Sequence, residues 1–68
     1  MIIRKFDEFF DDNGNIVIIY DRHFNDFYVR IDEWNDEGEE FEYGHFTVMT
    51  AQEIKRITNA KEITWECD

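Results

Sequence analysis

Seven carboxylates, Asp32, Glu33, Asp36, Glu37, Glu39, Glu40 and Glu42, fall within eleven consecutive positions that hold no Lys or Arg. Such a run can ligate a hard cation, supply a catalytic acid and base, or recognise a cationic surface, and each use makes its own demand on spacing. An EF-hand loop needs oxygen ligands at its first, third and fifth positions, Gly at the sixth and a bidentate Glu at the twelfth. With Gly38 as the sixth residue the loop opens at Glu33 and closes at Gly44, which has no carboxylate. Opened at Asp11, it puts Ile16 at the glycine position and Arg22 at the bidentate one, so calcium ligation fails in both frames. Carboxylate-pair glycoside chemistry needs a sugar cleft, which a chain of 68 residues has little room to enclose. Recognition of cations on another protein needs only exposure. Alternate residues of a strand lie on one face about 6.6 Å apart, so the acids would form a ladder for Arg and Lys side chains. Tyr28, Trp34 and Tyr43 stand beside them as aromatic anchors.

The remaining reactive side chains are sparse. A zinc site would have to join His23, His45 and Cys67, spaced 22 residues apart with no close ligand pair. There is no serine, and neither Cys67 nor a threonine has a neighbouring histidine to activate it. Glycines 14, 38 and 44 are isolated and form no phosphate-cradling loop. The expectation is a chain without catalysis, cofactor or metal. A lone Cys67 makes no intrachain disulfide and is expected as a small apolar core residue.

Charge narrows the partners. Seventeen Asp and Glu against seven Lys and Arg give a net charge of −10. Residues 7–42 carry 13 acids against Arg22 and Arg30, hence −11, while the rest of the chain is +1. Such a chain is repelled by nucleic acid and by anionic lipid, and its natural partner is a basic protein. A hydrophobic fraction of 43%, with 18% aromatic, separates it from disordered acidic tails. In size, acidity and lack of catalytic motifs the chain resembles phage-encoded anti-CRISPR and anti-restriction proteins and the acidic immunity partners of nuclease toxins. The resemblance is one of composition and carries no residue across. What it implies is an inhibitor that occupies the basic surface of a nucleic-acid-processing protein; the acidic cluster with its aromatic neighbours itself points to Asp32, Glu33, Trp34, Asp36, Glu37, Glu39, Glu40, Glu42 and Tyr43 as the contact residues. The alternative is a small non-catalytic accessory protein, homodimeric, whose acids serve solubility. No apolar run approaches the roughly 18 residues of a membrane span, and Met1–Lys5 lacks a signal-peptide core, so a cytoplasmic location is expected.

These residues must be positioned by one small domain, 1–68. Nine Ile, three Val and twelve aromatics, with no leucine, lean towards sheet. Asn13-Gly14 between apolar runs predicts a hairpin, with residues 2–10 as its first arm. The spacing of Ile2, Ile3, Phe6, Phe9 and Phe10 also suits a short helix, but the hairpin favours strand. Ile16–Tyr20, apolar without alternation, reads as a central strand. A polar turn is expected over Asp21–Asp26. Phe27, Val29 and Ile31 then alternate with Tyr28, Arg30 and Asp32. After a turn at Asn35–Gly38, apolar parity changes between Tyr43 and Phe46, predicting a β-bulge around Gly44. Thr50-Ala51-Gln52-Glu53 reads as a capping box that starts a helix at Ala51 and ends it near Asn59 or Ala60. A strand at 63–67 closes an α+β fold, order ββββαβ: a mainly antiparallel sheet of four or five strands with one helix packed on one face. Ile18, Val29, Ile31, Ile54, Ile57, Ile63 and Trp65 are the expected core.

Overall fold

The computed structural model describes residues 1–66, and Cys67 lies outside them. The fold is α+β, in the order β1 (Ile2–Arg4), β2 (Glu8–Phe10), β3 (Ile16–His23), β4 (Asp26–Asn35), β5 (Glu40–Thr50), α1 (Ala51–Thr58) and β6 (Thr64–Glu66). Strands β2 to β5 form one antiparallel sheet in chain order, each joined to the next by a hairpin. The predicted α+β class, the antiparallel four-stranded sheet and the single helix stand in this arrangement, and the expected element order ββββαβ gains one strand at its start.

The first arm is strand, as expected, but it is two strands rather than one. Asp7 folds the chain back on itself: its carboxylate accepts from the Arg4 amide at 2.8 Å, and its own amide donates to the Arg4 carbonyl at 3.1 Å. Phe6 takes a positive φ of 72° to complete this turn. β2 stays in the sheet against β3, whereas β1 leaves it and pairs in parallel with β6, Ile3 opposite Trp65. The five-residue loop 11–15 that follows is closed by a side chain. Asp11 Oδ1 accepts from the amides of Asn13 and Asn15, both at 2.9 Å, and only Gly14 has positive φ. The polar turn expected over Asp21–Asp26 contracts to Phe24–Asn25, because pairing continues to His23 opposite Asp26.

One face of the sheet is covered. Val17, Ile19, Phe27, Val29 and Met49 project from it into a core completed by Ile3 of β1 and Ile54 of α1. Ile31, Ile57, Ile63 and Trp65 pack around this centre, half-buried, and Ile18 is buried from the other side. The helix starts where expected. Thr50 Oγ1 accepts from the Glu53 amide at 3.2 Å, but Glu53 returns its carboxylate to the Thr50 hydroxyl, 3.3 Å away, rather than to the Thr50 amide. Asn59, left-handed at φ 58°, ends it. No helix among the described residues is long and apolar enough to cross a membrane.

Candidate functional site

The β4–β5 hairpin carries every residue singled out for partner binding, and its register sorts them. Glu33 stands opposite Glu42, Trp34 opposite Phe41 and Asn35 opposite Glu40. Since side chains alternate along a strand, Glu33, Glu40 and Glu42 share one face of this projecting end while Trp34, Phe41 and Tyr43 share the other. Their side chains are exposed, and Asp36, Glu37 and Glu39 complete the tip. Asn35 organises the turn, its Oδ1 accepting from the amides of Glu37 and Gly38 at 3.0 and 3.4 Å, and its Nδ2 donating to Glu42 at 2.7 Å. Trp34 Nε1 donates to Asp36 at 2.5 Å, and the Trp34 ring meets Phe41 edge-on, centroids 5.0 Å apart. Like charges directly opposite on a hairpin are destabilising, and no cation answers the Glu33–Glu42 pair among the described residues.

Asp32 does not belong with them. The sequence reading placed it on the contact surface without a counter-charge, but it is 9% exposed and paired. Arg30 Nε and Nη2 donate to its two oxygens at 2.9 and 2.8 Å, a bidentate fork. Residues two apart on a strand share a face, so the Arg30–Asp32 pair is a consequence of spacing that attention to the acids alone overlooks. These hydrogen bonds from Arg30 hold the Asp32 carboxyl below the usual carboxylate range; desolvation opposes them, and the Gly44 amide, donating to Oδ1 at 3.1 Å, reinforces them. Arg30 is correspondingly raised, first by its bond to Asp32.

Two irregularities aim aromatic rings at this pair. The predicted bulge is present: Tyr43 and Gly44 together oppose Asp32, between the pairs Ile31–His45 and Glu33–Glu42. Gly44 is obligatory there because a Cβ would lie 1.5 Å from the Ile31 carbonyl oxygen. On the other side β3 carries an extra residue, Tyr20, between Ile19 and Asp21. Arg30 Nη1 donates to the Tyr20 hydroxyl at 3.1 Å, and the guanidinium lies over Tyr43, 4.5 Å from the ring centroid. The outer face of the sheet is therefore an aromatic surface. Phe6, Tyr20, Phe46 and Tyr43 meet edge-on at 5.0–6.4 Å, and Phe10, Phe41 and Trp34 form a second group beside them. Sequence reasoning took Trp34, Tyr43 and Tyr28 as anchors and missed Phe10, Phe41 and Phe46. The signal for Phe41 and Phe46 is a parity opposite to Phe27 and Met49 once the bulge is counted, and for Phe10 its parity opposite to the core-packed Phe9.

No group of three or more His, Cys, Asp or Glu among the described residues is placed to hold a metal ion. The chain matches no protein-family model, no curated protein and no solved structure.

Proposed function

We propose that this chain is an acidic inhibitor that binds the basic, nucleic-acid-gripping surface of a nuclease or related protein, and acts by occupancy rather than catalysis. The observation that carries the reading is the two-sided β4–β5 hairpin, with Glu33, Glu40 and Glu42, none ion-paired among the described residues, on one face and Trp34, Phe41 and Tyr43 on the other. Cations of a phosphate-binding groove would neutralise the Glu33–Glu42 repulsion on docking, so binding relieves a cost present in the free chain. The rings supply apolar area that charge alone lacks. A role in which the acids only maintain solubility leaves that facing pair without a purpose. On this reading the protein works in the cytoplasm, where its partner meets nucleic acid.

The test starts from a basic protein retained from host lysate by the immobilised chain at low salt and released at high salt. Displacement of labelled nucleic acid from that protein is then measured with the native chain and with the triple variant Glu33→Lys, Glu40→Lys, Glu42→Lys. A loss of at least about tenfold in affinity, carried mainly by slower association, is expected. Undiminished displacement by a folded triple variant ends the proposal.

A further inference from the structure

β5 is the longest strand of the protein and an edge of its sheet. Its inner side pairs with β4, and among the described residues nothing pairs with its outer side. Edges of this kind ordinarily carry a lysine, a proline or another charge that discourages pairing with a further strand. Here residues 43–52 contain no Asp, Glu, Lys, Arg or Pro, the longest uncharged stretch in a chain that is 35% charged. The next longest, 13–20, belongs largely to β3, which lies inside the sheet. Beyond Glu40 and Glu42 at its start, β5 thus has the composition of an interior strand and the position of an edge.

We propose that this edge joins two copies of the chain. β5 of one copy pairs antiparallel with β5 of the other about a two-fold axis at Thr47, merging two four-stranded sheets into one of eight. The register follows from what bounds the regular segment. The bulge at Gly44 lies on one side of Thr47 and the start of α1 at Ala51 on the other. Centred on Thr47, the pairing sets Phe46 opposite Val48 of the second copy, and symmetry repeats it. Both side chains project from the outer face and are 57% and 50% exposed in the single chain, and an aromatic opposite a β-branched residue is a favourable cross-strand pair. No acid lies in the paired segment, since 43–52 contains neither Asp nor Glu.

Charge favours a second copy over a foreign strand. A basic strand would find no carboxylate along 43–52 to attract it. The net charge of −10 per chain opposes self-association less than its size suggests, because the acidic tips, its densest part, point away from the axis. Glu37 lies ten residues from Thr47, roughly 30 Å along the strand at about 3.3 Å per residue, so the two tips are separated by roughly 60 Å. That is several times the Debye length of about 8 Å at physiological salt. The dimer would present two acidic hairpins, one at each end.

Sedimentation equilibrium of the full chain between about 1 µM and about 1 mM reads the result. The expected mass rises from 8.4 kDa to twice that value. Val48→Lys should hold the chain at the monomer mass with an unchanged circular dichroism spectrum, and Glu37→Lys should dimerise as the native chain does. Thr47→Cys in a Cys67→Ser background should cross-link on oxidation, because facing Cα atoms about 4.5–5.5 Å apart are within disulfide reach. A monomer across the whole range, a dimer untouched by Val48→Lys, or a dimer without the Thr47→Cys cross-link would each overturn the proposal.

Discussion

The two faces of the four-stranded sheet are both apolar, yet they are made of different residues. The covered face is mainly aliphatic, Val17, Ile19, Val29 and Met49 around the buried ring of Phe27 with Phe9 half-buried beside it, and it is closed by Ile3, Ile54 and the partly buried Trp65. The outer face carries Phe10, Tyr28, Trp34, Phe41, Tyr43 and Phe46, all exposed, around the ion pair of Arg30 and Asp32. β-Branched aliphatics pack densely against a pleated surface and lose little by being fixed. Rings offer large area with few rotatable bonds and a polar edge, which suits a surface that must meet water and a partner in turn. Which face becomes the core is decided by what is left to cover it. One short helix and the β1–β6 pair suffice for one side only.

The largest test of this contrast removes one ring from each face. Phe27→Ala should cost about 3–5 kcal/mol in chemical denaturation, the range for a fully buried aromatic. Phe41→Ala should cost less than about 1 kcal/mol and leave its mark on partner binding instead. Equal losses would show the outer face to be as much a part of the core as the inner one.

The ion pair sharpens the comparison through pH. Asp32 has a depressed pKa in the folded state, so its contribution is fully present above the unfolded carboxylate value of about 3.9 and is lost as pH falls through the lower folded one. Asp32→Asn should therefore be less stable than the native chain at neutral pH, and the two stability curves should converge below about pH 4. Parallel curves down to the acid transition would detach Asp32 from the outer face's stability. The smallest effect concerns Phe24, 83% exposed at the β3–β4 turn with a φ of 57°. Phe24→Gly should raise stability by roughly 1 kcal/mol, because glycine adopts that φ freely and the exposed ring gives up little packing. A lower melting temperature for Phe24→Gly would mean that the ring's edge-on contact with His23 outweighs the backbone cost.

Local signals carried most of the fold. The Asn13-Gly14 turn, the parity change at Gly44 and the Thr50 cap each act within a few residues, and each stands where the pattern put it. What escaped were the steps that depend on residues far apart. Nothing near Ile2 indicates that it will lie beside Thr64 in a parallel pair, and nothing near Phe6 marks a positive φ at a ring. The hairpin acids are legible as a cluster, but the pairing of Asp32 is not, because a sum of charge along the chain ignores which residues share a face of the strand. Arg30 shares the face of Asp32, and Gly44 donates to Asp32 from the neighbouring strand.

Gly44 also bears on how the hairpin finds its partner strand. A slip of β5 along β4 by two residues would keep all but the two side chains that cross the bulge on their own face and so largely pass the test of polarity. It would also bring either Glu42 or Phe46 to the place where a Cβ lies 1.5 Å from the Ile31 carbonyl. Such a slipped pairing must give up the close approach and, with it, the amide that Asp32 receives. The one glycine in the strand thus serves as a register pin, closing off the misaligned hairpins that hydrophobicity by itself would tolerate during folding.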